Sequence, residues 1–280
     1  MPSRKTQIQP PTSLKTFKGR TLSWEWRDGV VEVLLDHAPA NEIGTLMVAE
    51  FERFVAAIPT LAKDTAACIL SSARPQVFSA GGDLREMYQT AMTTSPKKRV
   101  GEVRKFLNRI HAVANAIDTA PFVTIAAVHG VCFGGGFELA LVCDIIVADK
   151  MARFAFPELR LGFIPGFGGI PRLKRDASNA FARDLLFTGR TVNAARLQAC
   201  GIVSQLAGEG EALRIARSIA VQTSKYDAET RKAAKSFLKP VPYAELKREI
   251  DLFCKLFNRP TVIESLKKFV ESRDAMPYLP

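Results

Sequence analysis

The sequence predicts an α/β protein in which a layered core is followed by a helical region. Strand and helix patterns alternate through the first two thirds of the 280 residues, and the patterns beyond residue 178 are helical. Glycine-rich turns join apolar segments to helices, as they do where a buried strand feeds a helix. Hydrophobic residues make up 47% of the chain, which is ample for a core and excludes disorder throughout.

The first twenty residues are predicted to form a flexible basic arm. Residues 1–20 carry five basic side chains and no acidic one, a bias that transit peptides share. Pro10 and Pro11 interrupt any amphipathic helix in this stretch, so we favour an arm over a targeting helix. The α/β core is expected to span residues 21–195, and the helical region residues 196–280.

A β-β-α-β unit opens the core. Residues 21–35 alternate apolar and polar side chains on both sides of Asp28-Gly29, which predicts a β-hairpin. Residues 46–58 place their apolar side chains near helical spacing, which predicts a helix. Residues 66–72 form a short apolar run that suits a buried strand.

Two helices are predicted between residues 84 and 120. A basic interruption at Ser95–Arg99 separates them, and the second helix is expected from about Gly101 to Ile117. The stretch from Thr93 to Arg104 carries this interruption, and its role is left open.

The pattern is clearest from Pro121 onwards. Residues 122–133 are nearly continuous apolar sequence and predict a strand buried on both faces. A glycine triplet, Gly134–Gly136, then leads into a short helix over residues 137–142 and a strand over residues 144–148. A further β-like segment at residues 153–156 precedes a second glycine-rich loop. Helices are predicted over residues 180–187, 193–200, 211–222, 230–237, 244–257 and 262–272.

Charge and cysteine usage narrow the class of protein. The net charge of +11 favours an anionic partner, although a basic solubilising surface explains it equally well. The five cysteines are scattered, with no CxxC pair and no histidine at ligand spacing, so we expect buried thiols, a reducing compartment and no metal site. No apolar run is long enough for a membrane span or a secretory signal, which predicts a cytoplasmic protein with no membrane partner.

Three segments could carry chemistry: residues 77–84, 130–138 and 156–169. Their glycines leave backbone N–H groups free to face an anion, at a turn or at a helix N-terminus. A single glycine-rich turn is more often simple chain geometry. The phosphate-binding motifs GxGxxG and GxxxxGK[ST] are both absent, which disfavours nucleotide hydrolysis and a dinucleotide cofactor.

Two glutamates lie inside these segments. Glu138 follows the glycine triplet between Phe137 and Leu139, and Glu158 follows Pro157 among apolar residues. Apolar surroundings raise the pKa of a carboxyl group and suit it to proton transfer. Each glutamate taken singly could instead be an ordinary stabiliser of a helix N-terminus.

Together the three segments resemble the crotonase superfamily, which comprises the enoyl-coenzyme A hydratases and isomerases. The matching stretches are FSAGGDL at residues 78–84, AAVHGVCFGGGFELALVCDIIVAD at 126–149 and FAFPELRLGFIPGFGGIPRL at 154–173. Their order and spacing make the resemblance specific, and it runs from about residue 22 to about residue 273. It implies a crotonase-like (ClpP/crotonase) spiral of ββα units with a C-terminal helical region.

The resemblance also implies roles for four residues. The N–H groups of Gly82 and Gly135 would hold the thioester oxygen when it becomes an enolate-like oxyanion, Glu138 would polarise a water molecule, and Glu158 would exchange a proton with the α-carbon. Possession of both acids favours hydration of the 2,3 double bond. Double-bond isomerisation, decarboxylation or carbon–carbon bond cleavage, and a non-enzymatic RNA- or protein-binding scaffold stay open as alternatives.

The substrate and assembly follow from the same resemblance. Coenzyme A would be part of the substrate, not a bound cofactor, and would contact Ser79, Ala80, Gly81 and Asp83. The acyl pocket would be lined by Met87, Phe133, Phe137, Phe163 and Phe167, although aromatic residues suit a core equally well. Residues 93–104 are longer than is usual there and border the acyl entrance, which leaves the acyl group undefined. A homotrimer or hexamer is implied, and no nucleic-acid partner is expected.

Overall fold

Two β-sheets form the framework of the protein. A computed structural model describes residues 14–272. The larger sheet has seven strands, in the spatial order β1-β2-β3-β4-β6-β8-β11, and it is parallel from β3 onwards. Its strands are β1 (Thr16–Lys18), β2 (Leu22–Arg27), β3 (Val30–Leu35), β4 (Ala67–Ser72), β6 (Val123–Val128), β8 (Ile145–Asp149) and β11 (Gln205–Ala207).

The smaller sheet has the order β10-β9-β7-β5. Strands β5, β7 and β9 run parallel, and β10 is antiparallel at one edge. These strands are β5 (Val77–Ser79), β7 (Val131–Phe133), β9 (Arg153–Ala155) and β10 (Val192–Asn193). The chain passes repeatedly from a strand of the larger sheet to a strand of the smaller sheet and then to a helix. The crotonase-like spiral of ββα units is therefore confirmed.

The described helices pack around these sheets. They are α1 (Thr45–Leu61), α2 (Leu84–Thr93), α3 (Pro96–Asp118), α4 (Gly135–Leu141), α5 (Gly169–Asp176), α6 (Asn179–Thr188), α7 (Ala194–Ala199), α8 (Ala212–Thr223), α9 (Ala228–Leu238), α10 (Tyr243–Phe257) and α11 (Pro260–Glu271). A 3₁₀ turn spans Glu158–Leu161. Within residues 14–272, none of the helices combines the length and apolar character that crossing a bilayer requires.

The N-terminal hairpin is confirmed, and part of the predicted flexible arm is a third strand of it. Asp28 and Gly29 adopt positive φ angles of 50° and 80° between β2 and β3, as a tight hairpin requires. Strand β1 pairs antiparallel to β2, and the Phe17 ring stacks on Trp24 with centroids 4.4 Å apart. The prediction of a flexible arm was therefore wrong for residues 16–18, and residues 1–13 of the arm lie outside the described residues.

The apolar run at residues 122–133 is two strands, not the single strand that its composition predicts. Strand β6 belongs to the larger sheet and β7 to the smaller one, and the chain turns between them at His129-Gly130. Gly130 has a φ of 59°, and a Cβ there would lie 1.9 Å from the carbonyl oxygen of Gln76. This contact excludes any side chain, so the glycine marks where the chain leaves the first sheet. The apolar pattern continues across the turn because both strands are buried.

The second predicted helix begins five residues earlier than expected. Ser95 is the N-cap of α3 and Pro96 occupies its first turn, so the basic run Lys97–Arg99 is helical and does not interrupt anything. The helices α2 and α3 consequently meet at a short turn, and residues 93–104 comprise the last residue of α2, that turn and the start of α3.

The region after residue 195 is mostly helical, with one addition. Strand β11 joins the larger sheet beside β8 as a parallel strand. Helix α8 covers one face of this sheet with Ala212, Ala216 and Ala220, which form a small second core with strand residues such as Ile125. Helices α10 and α11 instead pack on α3 and α2, next to the loops of the smaller sheet.

Candidate active site

Two glycine loops meet at the ends of neighbouring strands. Strands β5 and β7 run parallel in the smaller sheet, so the loops that follow them lie side by side. Gly81 has a φ of 104°, and a Cβ on it would lie 2.9 Å from the Phe133 carbonyl oxygen and 3.1 Å from the Gly135 nitrogen. Only glycine allows this approach. This approach brings the N–H groups of the loop after β5 close to those of the loop after β7.

The amides of Gly82 and Gly135 are both available as donors. Gly135 is the first residue of α4, where an N–H has no intrahelical partner, and Gly82 lies between β5 and α2. Across residues 14–272, neither N–H donates to a backbone or side-chain acceptor. A Cβ built on Gly135 would lie 3.3 Å from the Gly82 nitrogen. The two donors therefore border one small space that suits an oxyanion.

Glu138 lies one turn into α4 and is 2% exposed. Its Oε1 accepts hydrogen bonds from the N–H groups of Phe167 at 2.8 Å and Gly169 at 2.7 Å. Burial raises the pKa of Glu138 to about 7, and these backbone hydrogen bonds keep it from rising further because they stabilise the carboxylate. The carboxyl group can thus gain or lose a proton near neutral pH.

Glu158 begins the 3₁₀ turn after Pro157 and is also buried. A Cβ on Gly134 would lie 2.5 Å from its Oε1, so the carboxyl group is adjacent to the loop that carries the Gly135 amide. Its Oε2 is buried and has no hydrogen-bond partner in the described part of the chain. Burial first, and the nearby negative charge of Glu138 second, raise the pKa of Glu158 well above its usual range. The environment therefore favours the protonated form of this carboxyl group.

A cavity of about 430 Å³ lies between α2 and α3, beside the two amides. Its apolar lining residues are Ile43, Met87, Val103, Phe106, Leu107 and Phe253. The ring of Phe167 is close both to Phe106 of the cavity wall and to the glycine pair: its centroid is 5.8 Å from that of Phe106, and a Cβ on Gly82 would lie 3.4 Å from it. The cavity and the glycine pair thus approach each other at this ring.

The predicted pocket residues divide between cavity and core. Met87 lines the cavity, as expected, whereas Phe167 does not and packs against Phe106 of the cavity wall. Phe137 instead stacks on Phe156 with centroids 4.8 Å apart, and Phe163 packs against Phe253. Phe133 is buried and does not line the cavity. The segment 93–104 borders the cavity through Thr93, Thr94, Glu102 and Val103.

The four residues expected to contact coenzyme A have roles within the chain. The Ser79 hydroxyl donates to the Asn41 carbonyl oxygen at 2.8 Å and accepts from the Gly81 N–H at 3.2 Å, and its side chain is fully buried. Asp83 is the N-cap of α2, and its Oδ1 accepts from two N–H groups of that helix. Ala80 donates its N–H to the Ala40 carbonyl oxygen. Any contribution of these residues to coenzyme A binding would come from remaining backbone groups or the second Asp83 oxygen.

Two further buried polar side chains lie beside Glu138, and sequence reasoning missed both. Glu249, from α10, accepts hydrogen bonds from the N–H groups of Gly168 at 2.7 Å and Ile170 at 3.1 Å. His111, from α3, contacts the Gly166 carbonyl oxygen through Nε2 at 2.8 Å. Glu249 could have been found, because it occupies the apolar stripe of α10 between Leu246 and Phe253, where a charged residue is unusual.

A buried ion cluster also contacts the loop that binds Glu138 and Glu249. Arg172 is fully buried, bonds Asp118 through Nε at 2.7 Å and donates to the Gly168 carbonyl oxygen at 3.2 Å. Asp118 also pairs with Arg175 at 3.1 Å and Lys239 at 2.8 Å. Burial opposes ionisation of Asp118, but these three cations outweigh it and hold its pKa below the usual range.

Comparison with known proteins agrees with the fold and the motifs. The family model for enoyl-CoA hydratase/isomerase matches residues 25–276. A protein named probable enoyl-CoA hydratase 2, mitochondrial, from Arabidopsis thaliana is 32% identical over 252 residues, which cover 88% of this chain and 80% of that protein. Methylglutaconyl-CoA hydratase, mitochondrial, from Rattus norvegicus is 40% identical over 138 residues, or 49% of this chain and 41% of that protein.

Solved structures give the same result. A putative enoyl-CoA hydratase from Streptomyces avermitilis superimposes with a TM-score of 0.78 at 25% identity, covering 90% of this chain and 92% of that one. An enoyl-CoA hydratase from Bacillus halodurans gives a TM-score of 0.79 at 22% identity over 88% and 99% of the two chains, which is a likeness of fold. The chain belongs to the enoyl-CoA hydratase/isomerase family, within the crotonase superfamily.

Proposed function

We propose that the protein hydrates the 2,3 double bond of an enoyl-CoA thioester, or removes water in the reverse direction. The observation that carries this proposal is the placement of two buried carboxyl groups, in unlike environments, next to two adjacent free N–H groups. Relatives named as hydratases support the class of reaction. The acyl group would occupy the cavity between α2 and α3.

The environments assign different tasks to the two glutamates. Glu138 receives two backbone hydrogen bonds, which favour its carboxylate and suit it to accept a proton from water. Glu158 has a buried oxygen without a partner, which favours its protonated form and suits it to give a proton. Two carboxyl groups whose environments separate their proton affinities form an acid and base pair.

The proposed reaction uses both glutamates and both amides. Glu138 takes a proton from water as the water oxygen bonds to C3, and the electrons of the double bond move toward the thioester oxygen. The N–H groups of Gly82 and Gly135 hold that oxyanion, and each is worth about 3 kcal/mol. Glu158 then gives its proton to C2, and one proton transfer between the acids restores the starting state.

The test combines two substitutions with product analysis by mass. We expect Glu138→Gln and Glu158→Gln each to lower the rate of hydration of a short 2-enoyl-CoA by roughly 10²–10⁴-fold, with thioester binding retained. Glu229→Gln, at an exposed position on α9, is the matched control and should leave the rate unchanged. Full activity of both active-site variants would refute the proposal.

Product mass separates this proposal from the alternatives. Hydration adds one water to the thioester, whereas isomerisation of a 3-enoyl-CoA to a 2-enoyl-CoA leaves the mass unchanged and would depend mainly on Glu158. A non-enzymatic scaffold would turn over neither compound. The homotrimer or hexamer, the contacts of residues 79–83 with coenzyme A and the cytoplasmic location stay proposals, and sedimentation of the purified protein tests the first of them.

A further inference from the structure

The four consecutive N–H groups from Phe167 to Ile170 alternate between two carboxyl groups. Glu138 accepts from the first and third, at Phe167 and Gly169, and Glu249 accepts from the second and fourth, at Gly168 and Ile170. These amides form the start of α5, where N–H groups lack intrahelical partners and attract negative charge. One carboxyl group comes from α4 and the other from α10, so the C-terminal region reaches the candidate active site.

We propose that Glu249 is a positioning residue for Glu138: it holds the second and fourth amides of the loop whose first and third amides bind Glu138, and so fixes the orientation of Glu138. The inference rests on the proposed function, in which Glu138 takes a proton from water. Both oxygens of the Glu249 carboxyl group bond loop amides, so we place its action on Glu138 through the loop.

The direct contacts of the Glu249 carboxyl group are the loop amides. His111 Nε2 lies 3.8 Å from Glu249 Oε1, but burial lowers the pKa of His111 to about 4, so the ring is neutral at working pH. The positive charge of Arg172 favours the Glu249 carboxylate, although its guanidinium bonds Asp118 and Asn115. Among the described residues, the hydrogen bonds to Glu249 come from the amides of Gly168 and Ile170.

The two carboxyl groups should consequently influence each other. Burial first, and the charge of Glu138 second, raise the pKa of Glu249 well above its usual range. Removal of the Glu138 charge should therefore lower the pKa of Glu249. Glu158 adds a third buried carboxyl group to the same cluster, and its pKa is raised by Glu138 as well.

The test compares kcat and KM in Glu249→Gln. A glutamine can accept a hydrogen bond from only one of the two amides, because its NH₂ group faces the other amide as a second donor. We expect kcat to fall roughly tenfold with KM little changed, because a loosened loop misplaces Glu138 and leaves the cavity intact. Glu245→Gln, an exposed position on the same helix, is the matched control and should change neither.

An unchanged kcat per folded molecule in Glu249→Gln, or a rise in KM as large as the fall in kcat, would overturn the proposal. If that variant does not fold, carbon-13 NMR titration of glutamate carboxyl groups in the wild type and in Glu138→Gln replaces it. The Glu249 resonance must then titrate at lower pH in Glu138→Gln, and an identical titration refutes the coupling. This readout needs no turnover, so failure of the proposed hydration leaves it intact.

Discussion

Replacing Gly135 with alanine adds one methyl group, yet we expect it to remove most of the turnover. The backbone of Gly135 is helical, so alanine suits its φ and ψ angles, and the N–H group is retained. The added Cβ would lie 2.5 Å from one carbon of the Phe167 ring and 3.3 Å from the Gly82 nitrogen. The methyl group would therefore enter the space that the two amides border.

The size of the effect follows from these distances. Ordinary contact begins at 3.4 Å, so the Phe167 ring would have to move by about 3.4 − 2.5 = 0.9 Å. Overpacking of this kind costs about 1–3 kcal/mol of folding stability. A displacement near 1 Å, or the loss of one oxyanion donor, lowers kcat by roughly 10²–10³-fold.

Gly82→Ala provides the matched control, because it makes the same chemical change at the other donor. A Cβ there would lie 3.4 Å from Phe167 and 3.9 Å from Met87, which is ordinary contact. We expect a loss below about tenfold, or less than ~1.4 kcal/mol. Steady-state kinetics with a short 2-enoyl-CoA measure both variants. Equal losses of activity in the two variants, or full activity of Gly135→Ala, would refute the placement of Gly135 against the Phe167 ring.

Two further predictions concern stability. Folding raises the pKa of Glu138 from its ordinary 4.5 to about 7. The protonated carboxyl group therefore stabilises the folded state below pH 4.5, and this contribution of about 3 kcal/mol to the free energy of unfolding is lost as the pH rises to 7. Thermal unfolding should accordingly show Glu138→Gln gaining more Tm at pH 8 than at pH 5, and an equal gain at both would contradict this. Asp118→Asn leaves Arg172 buried without its anion and should cost about 3–5 kcal/mol in urea unfolding. Asp251→Asn breaks an exposed pair with Arg104 and should cost at most about 1 kcal/mol, and similar losses in the two variants would refute the reasoning.

Local patterns predict much of the fold, and they fail where tertiary contacts decide. The hairpin of β2 and β3 and the helices α8, α10 and α11 follow from periodicity, since each buries one face. The division between β6 and β7 could not be predicted, because Gly130 turns the chain only where it meets Gln76 of a distant segment. Strand β1 was missed since three residues carry almost no pattern, and it exists because β2 offers a free edge.

In the candidate site, too, residues in local motifs could be predicted, and residues placed by tertiary contacts could not. Gly82, Gly135, Glu138 and Glu158 could be named because their motifs are local in sequence. Glu249 lies about eighty residues beyond the loop that it contacts, in a helix without a family motif, and only its place on an apolar stripe signals it. Which of the aromatic residues belong to the core and which lie at the cavity could be decided only from the packing of their rings in the structure.

In the proposed reaction, the Gly82 and Gly135 amides hold an enolate oxygen while the buried glutamates move protons. Exchange of the α-hydrogens of a saturated acyl-CoA in deuterium oxide, followed by NMR, tests it without requiring hydration. The wild type should exchange these hydrogens, and Gly135→Ala should lose the exchange by roughly 10²-fold or more. Absence of exchange in the wild type, or equal exchange in the variant, would contradict the account.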